Sequence, residues 1–363
     1  MLDLPLRVAL IGYGHAGSVF HAPLIASTPG LCLAAIVTAS SERASQARNA
    51  FPRAQIVPSA EMIWQAAREY HLAVVATPNR THVELSLAAI AAGLPVVVDK
   101  PVAATQTDAR RLIDAARCAG KLLTVFHNAR WSIPFLTARR VIASGVLGPI
   151  ASYEARLERF RPVPRPGAWR ERGDPREAGG LLYDLGSHLI DQALQLFGPP
   201  TEVYAELEQR RPGTQVDDDS FVSLRFGSGV RGRLWMSYVA RLPGPALRVS
   251  GLRGTYVKLD GDPQEDALQS EVRPDDASWG VETRDHWGRL STDVDGLHVD
   301  GPLESVRGGY DQFYCQLVNA LRAGGPPPVD AEDAVLVLRV IEAAQRSARS
   351  RTVVHCAVGS AQN

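Results

Sequence analysis

A chain of 363 residues exceeds what one hydrophobic core ordinarily serves, so two domains are expected. Its 45% apolar and 21% charged composition excludes a disordered or fibrous protein, and its balance of 39 basic and 39 acidic residues, with no Lys/Arg run longer than a pair, excludes a nucleic-acid partner. No segment approaches the roughly 18 uninterrupted apolar residues of a membrane-spanning helix, so no membrane partner is expected either.

Met1 to Leu10 places Asp3 ahead of a short apolar run and reads as a first strand rather than a signal peptide. Strands are predicted at Arg7–Ile11, Leu33–Thr38, Gln55–Val57, Leu72–Ala76, Pro95–Val98 and Leu122–Phe126. Between them, stretches such as Ser59–Tyr70 and His82–Ala92 have the composition and length of crossover helices. This rhythm predicts an α/β protein whose residues 1–127 form an N-terminal Rossmann domain, a doubly wound parallel sheet. Residues 128–363 read as a C-terminal α/β domain. Ala151–Phe160 is extended, Arg161–Pro175 is a Pro/Arg-rich loop, and Gly179-Gly180 opens a helix over Leu181–Phe197. Alternating segments at Thr201–Glu208, Ser220–Phe226, Arg231–Tyr238 and Ala246–Lys258 predict a large, mostly antiparallel sheet with one face on helices. Gly261–Ser305 is polar and turn-rich, without an assignable pattern. Helices at Tyr310–Arg322 and Ala331–Arg349 and a short strand at Val353–His355 close the chain. Cys32, Cys118, Cys315 and Cys356 lie far apart without a C-x-x-C pair, which predicts reduced thiols in a cytoplasmic protein with no metal site.

Gly12-Tyr13-Gly14-His15-Ala16-Gly17 matches G-x-G-x-x-G directly after a strand and before a helix. There the glycines let the turn close and let a pyrophosphate reach the free amides of the helix N-terminus. The second strand ends in Thr38-Ala39-Ser40-Ser41-Glu42-Arg43 instead of the acid that binds the ribose 2′-hydroxyl of NAD. Ser40, Ser41 and Arg43 suit the extra phosphate of NADP, so NADP is the preferred cofactor and NAD the alternative; Glu42 competes, and either serine could instead cap the next helix.

Hydride transfer from an alcohol needs a group to take up the hydroxyl proton. Lys100 follows Val96-Val97-Val98-Asp99 and precedes Pro101, at the carboxyl end of a buried strand where such sheets bind ligands. A cis bond before Pro101 would fix its direction. Asp184 and His188 are four apart, so a carboxylate could orient an imidazole on one helix face. The same spacing, continued by Asp191 and Gln195 opposite Leu182, Leu185, Leu189 and Ala193, equally describes a solvent face. Gly179, Gly180 and Gly186 are costly in or beside a helix, which points to close approach of a backbone or a ligand.

Together the glycine loop, Thr77-Pro78-Asn79-Arg80-Thr81-His82, Asp99-Lys100-Pro101, and Gly179-Gly180 with Asp184, Gly186 and His188 resemble the Gfo/Idh/MocA (glucose-fructose oxidoreductase/inositol dehydrogenase) family over essentially the whole chain. Phe20-His21-Ala22-Pro23-Leu24, Phe126-His127-Asn128-Ala129-Arg130-Trp131 and Tyr183–His188 are most similar to the subgroup containing NADP-dependent scyllo-inositol dehydrogenases. The resemblance implies an open-faced second sheet that makes a homodimer or homotetramer, and a polyol or keto-sugar substrate. It implies catalytic roles for Lys100, Asp184 and His188. It also implies that Thr77, Pro78, Asn79 and His82 line the cofactor and that Asp99 contacts its ribose, although the family often has glutamate there. Asn128, Arg130, Trp131, Trp169 and Arg170, with Arg161 and Arg165, are candidates for the substrate, by stacking and by bonds to hydroxyls; their arginines would also suit an acidic or phosphorylated sugar. Alternative readings are an NADPH-dependent reductase of a keto-sugar or keto-aminocyclitol, an NAD-dependent glycosidase, and a non-catalytic NAD(P)-binding regulator.

Overall fold

The computed structural model describes residues 4–165 and 167–356, so the part of the Met1–Leu10 reading that concerns residues 1–3, and Pro166 of the Pro/Arg-rich loop, lie outside the described residues. It divides into two compact units. The first holds the described residues up to Trp131 with Pro263–Gly280 and Gly309–Val335; the second holds Ser132–Asp262, Val281–Gly308 and the described residues from Leu336 onward.

The first unit begins β1 (Leu6–Ile11), a π-helical turn (Ala16–His21), α1 (Ala22–Ser27), β2 (Leu31–Val37), α2 (Ser41–Ala50), β3 (Gln55–Val57) and α3 (Ala60–Gln65). It continues with β4 (Leu72–Val75), α4 (His82–Ala91), β5 (Val96–Asp99), α5 (Gln106–Cys118) and β6 (Leu123–Phe126). The strands pair in parallel in the order β3-β2-β1-β4-β5-β6. Helices on both faces leave no wet side, so β4, β5 and β6 are buried along their whole length, as continuous Val/Leu/Ala runs require. The strand order reverses between β1 and β4, and the glycine loop and Lys100 both follow carboxyl ends of strands near that switch point.

The second unit contains α6 (Ile133–Ala143), β7 (Ile150–Glu158), α7 (Ser187–Phe197), β8 (Pro200–Glu208), β9 (Asp219–Phe226), β10 (Arg231–Ser237), β11 (Leu247–Gly251) and β12 (Gly254–Lys258). After α8 (Gln264–Gln269), which belongs to the first unit, come β13 (Gly288–Val294) and β14 (Leu297–Leu303). Finally α9 (Asp311–Ala323) lies in the first unit, α10 (Ala331–Ser350) begins there and runs on into the second, and β15 (Val354–His355) ends the described chain. The strands of the second unit form one sheet, β14-β13-β12-β11-β7-β10-β9-β8-β15, antiparallel except where β7 meets β10. Alternation sets its two faces. Tyr153, Ala155, Leu234 and Met236 are buried, and Phe197 of α7 packs against Tyr153 at 5.6 Å between ring centroids. Glu154, Arg156, Phe221 and Trp235 occupy the opposite face, with the Arg156 guanidinium 3.8 Å above the Trp235 ring.

Two segments depart from expectation. Ala246–Lys258, read as one extended run, is the hairpin β11–β12. The main chain at Leu252 and Arg253 turns to bond Pro149 and Leu147, and a Cβ on Gly251 would lie 2.2 Å from the Leu147 carbonyl oxygen. Gly261–Ser305 carries α8 and the hairpin β13–β14. That hairpin's alternation is short, with Leu297 and Val299 set among polar residues on a largely exposed β14, yet Asp295-Gly296, with φ of 50° and 82°, is a strong hairpin signal in the sequence. A buried ion pair secures this region. Fully buried Lys258 places Nζ 3.0 Å from Glu282 Oε1 and donates to the His286 carbonyl at 2.6 Å, while the Ser305 hydroxyl donates to Glu282 Oε2 at 2.7 Å. No helix among the described residues is long and apolar enough to cross a membrane.

Candidate active site

The glycine loop fits a dinucleotide, with each glycine serving a different end. Gly12 has φ +102°, and a Cβ there would sit 2.4 Å from the Ala76 carbonyl oxygen; one on Gly17 would sit 2.2 Å from the Gly12 carbonyl oxygen. These two let the loop, β4 and the first helix close on one another. Over Gly14 the space is open among the described residues, with Arg43 Nη1 4.0 Å from a built Cβ. Open space beside a backbone at a helix entry is where a pyrophosphate approaches, and Arg43 of α2 lies at the edge of that space. Tyr13 is buried edge-on to Phe51, and His15 Nε2 is 3.1 Å from Glu265 of α8. Ala16 begins the π-helical turn. Ser40 takes the capping role, accepting the Arg43 amide at 3.3 Å, while Ser41 is the first residue of α2.

This unit also brings Thr77, Asn79, His82, Asp99 and Lys100 to the carboxyl ends of β4 and β5. Thr77 Cγ2 would lie 2.9 Å from a Cβ on Gly12, Thr81 donates its hydroxyl to the Pro78 carbonyl at 2.7 Å, and Asn79 is buried. His82, expected to line the cofactor, is fully buried. Its Nδ1 lies 2.8 Å from the Pro101 carbonyl oxygen and its Nε2 2.8 Å from that of Thr77, which ties the two loops together. The Lys100–Pro101 bond is cis.

Asp99 is anchored from several sides. The Lys100 amide donates to its Oδ1 at 2.9 Å, and the Nε2 of fully buried His21 faces the same oxygen at 3.8 Å. Burial opposes ionisation here, but His21, Lys100 and His82 outweigh it and hold the Asp99 carboxyl well below the usual carboxylate range. Since the folded value lies below the unfolded one, Asp99 contributes stability that is complete above the ordinary value of 3.8 and is lost as pH falls through the depressed value.

In the second unit, Asp184 and His188 are partly exposed on an otherwise buried segment. Asp191, which a solvent face would expose, is only 1% accessible, so that reading fails at its third residue. The helix expected over Leu181–Phe197 opens as a π-helical turn, Leu182–Gly186, an uncommon geometry found often at functional positions. Its entry explains the glycines without a ligand. A Cβ on Gly179 would meet the Arg170 and Arg172 carbonyl oxygens at 2.7 and 2.9 Å, one on Gly180, at φ +89°, would meet Asp217 Oδ1 at 2.0 Å, and one on Gly186 would meet Met236 Cε at 3.2 Å. Asp217 accepts the Leu182 amide and the Ser220 hydroxyl, each at 2.7 Å, and so fixes the helix start; burial pushes its carboxyl up.

Asp184 Oδ1 lies 3.3 Å from Arg170 Nε, and Arg170 stacks on Trp169 at 4.3 Å. Tyr238, absent from the sequence-based candidates, belongs to this cluster. Burial and then Asp184 raise its hydroxyl pKa, while Arg161, Arg159 and Arg170 oppose the rise. Its position one residue past a strand was the only available signal, and strand ends are common. Among the other substrate candidates, Asn128, Arg130 and Trp131 share one 3₁₀ turn of the first unit, whereas Trp169 and Arg170 belong to the second. Arg130 is buried with Nη2 2.9 Å from Asp333 Oδ2, an internal ion pair; Trp131 packs edge-on to Phe313 at 5.8 Å; Arg165 is exposed. Among the described residues no cluster of His, Cys, Asp or Glu is arranged to hold a metal ion.

Comparison with known proteins agrees with this architecture. Residues 6–127 match the Gfo/Idh/MocA oxidoreductase family model for an NAD-binding Rossmann fold, and residues 139–356 match that family's C-terminal alpha/beta domain. The oxidoreductase YdgJ of Escherichia coli is 40% identical over 96% of this chain and 98% of its own. The scyllo-inositol 2-dehydrogenase (NADP(+)) IolW of Bacillus subtilis is 35% identical over 96% of this chain and 95% of its own. Among solved structures, the oxidoreductase yvaA from Bacillus subtilis superposes with a TM-score of 0.92 at 34% identity, covering 98% of this chain and 99% of its own.

Proposed function

Because this chain belongs to the Gfo/Idh/MocA family of oxidoreductases, we propose that it is an NADP(H)-dependent dehydrogenase that interconverts a secondary alcohol and a ketone on a cyclitol or sugar, with a scyllo-inositol-like polyol as the first candidate. The observation that carries this reading is the open space over Gly14 with Arg43 Nη1 at its edge, on the same Rossmann sheet that delivers Lys100 from the end of β5. When bound, the dinucleotide supplies the hydride acceptor or donor. The chain supplies the rest. Gly12–Gly17 receives the pyrophosphate, Arg43 the 2′-phosphate, and Thr77, Asn79 and Asp99 the nicotinamide-side ribose. Lys100 holds the reacting oxygen, His188 takes up or returns its proton, and Asp184 sets the charge around that imidazole. The name of IolW supports both NADP and the polyol. Absorbance at 340 nm with NADP or NAD against inositols, aldoses and their keto forms tests the reading. NADP reduction by an inositol is the expected result; NADPH consumption only with a keto-sugar would favour the biosynthetic reductase, and silence with both would reject the class.

Two variants separate the glycine-loop roles. Gly14→Ala is expected to weaken dinucleotide binding about tenfold or more with the denaturation midpoint unchanged, because its methyl enters open space. Gly12→Ala is expected to lower the midpoint itself, because its methyl meets the Ala76 carbonyl at a φ that favours glycine. Titration by NADPH fluorescence and thermal melts distinguish them. Arg43→Ala should cost NADP about tenfold in affinity and leave NAD nearly unchanged, since a charge-assisted contact to phosphate is worth about 1.5–3 kcal/mol. Equal losses for both cofactors would reject the 2′-phosphate role. We also propose a homo-oligomer assembled through the open sheet face around Trp235, and Trp235→Glu should reduce the mass measured by light scattering.

A further inference from the structure

The function proposed above gives His21 and Tyr314 no role, yet both are fully buried beside Asp99. His21 ends the π-helical turn that follows the glycine loop, and Tyr314 lies on α9, far away in sequence but in the same unit. The His21 Nδ1 and the Tyr314 hydroxyl are 2.6 Å apart. The His21 ring packs 4.3 Å from that of Phe126, at the end of β6, and its Nε2 points at Asp99 Oδ1 from 3.8 Å. Among the described residues no closer partner satisfies that Nε2, and a buried polar atom left unmatched is expensive. Desolvation, with Asp99 nearby, raises the Tyr314 hydroxyl well above its ordinary pKa, so it keeps its proton and can donate it. The self-consistent arrangement is Tyr314 O–H donating to His21 Nδ1, with the remaining ring proton on Nε2 facing the Asp99 carboxylate.

We propose that Tyr314 and His21 are positioning residues that hold Asp99 as a correctly turned carboxylate for the ribose of the nicotinamide dinucleotide. This rests on the dinucleotide reading above. Tyr314 fixes the tautomer and plane of His21, and His21 presents one N–H to Asp99 from α1's side. The Lys100 amide hydrogen-bonds Oδ1 at 2.9 Å, while His21 Nε2 faces the same oxygen from 3.8 Å, beyond hydrogen-bond distance, and acts on Asp99 through its charge distribution and its packing. The titratable groups facing His21 are Tyr314 from α9 and Asp99 from β5, while Lys100 and His82 add positive charge around Asp99.

The test compares the full-length protein with Tyr314→Phe, His21→Leu and His21→Gln. NADPH affinity is measured by fluorescence and the His21 ring nitrogens by ¹⁵N NMR in the folded protein. Tyr314→Phe removes one hydroxyl and little volume, so it remains informative if a His21 variant misfolds. In the wild type a single tautomer with the proton on Nε2 is expected, giving way to a mixture in Tyr314→Phe. NADPH affinity should fall about tenfold in His21→Leu and severalfold in Tyr314→Phe. His21→Gln, whose amide can reach Asp99 as Nε2 does, should recover most of the loss, which a purely packing role would not predict. Wild-type affinity in both His21→Leu and Tyr314→Phe, or a proton on Nδ1 of the wild type, would overturn this assignment alone. A wild type that binds neither NADPH nor NADH would overturn the dinucleotide reading and this assignment with it.

Discussion

Lys100→Met and His188→Asn are each expected to lower turnover by about two to four orders of magnitude, the usual worth of a positioned proton-transfer group, with NADPH affinity retained. Lys100 leaves β5 directly after a carboxylate that is held ionised, and its direction is set by a backbone that His82 ties at Pro101. Methionine keeps the length of the side chain but holds no proton and cannot hydrogen-bond a hydroxyl as a donor. His188 is partly exposed on a segment whose entry is fixed by Asp217, so asparagine keeps a polar group there without its acid–base capacity. Asp184→Asn should have a smaller effect on turnover and should alter its pH profile, because the carboxylate faces Arg170 and Tyr238. Steady-state kinetics beside fluorescence titration checks all three. Unchanged rates in both the Lys100 and His188 variants would sink the catalytic assignment and return the chain to the class of cofactor-binding regulators.

The largest expected loss of stability comes from the second unit. Lys258→Met should cost about 3–5 kcal/mol, because it leaves Glu282 charged and buried without its partner. Glu282→Gln should cost a similar amount by stranding Lys258. The double variant Lys258→Met with Glu282→Leu should recover much of the loss, since well-packed apolar residues often match a buried pair once both charges are gone. Denaturant unfolding followed by a fluorescence probe in this unit gives the comparison, and additive losses in the double variant would show that the pair is not coupled. The effect should persist at high salt, which separates it from surface pairs such as Arg289 with Asp300.

Local chemistry made much of this legible in advance. The parallel sheet followed from apolar runs with nowhere wet to face, and the glycine loop from its place between a strand and a helix. Asp99-Lys100-Pro101 announced a strand end. The hairpin β13–β14 is hard to read in the sequence because its alternation is short and β14 is largely exposed among polar residues, although Asp295-Gly296 marks its turn.

Periodicity, backbone sterics and turn chemistry are written in neighbouring residues, and they pointed to the class of fold and the dinucleotide loop, whereas the spacing of Asp184 and His188 read equally as a solvent face and their catalytic roles came from the family resemblance. Partnerships between distant residues are not written there, because a side chain's burial and charge environment depend on what the packed chain lays against it. Only the folded chain showed that His82 bridges Thr77 and Pro101, that Arg130 is engaged by Asp333, and that Gly180 makes room for Asp217. Only there did His21, an unremarkable histidine after a glycine loop, meet Tyr314 from nearly three hundred residues away and Asp99 on a strand between them.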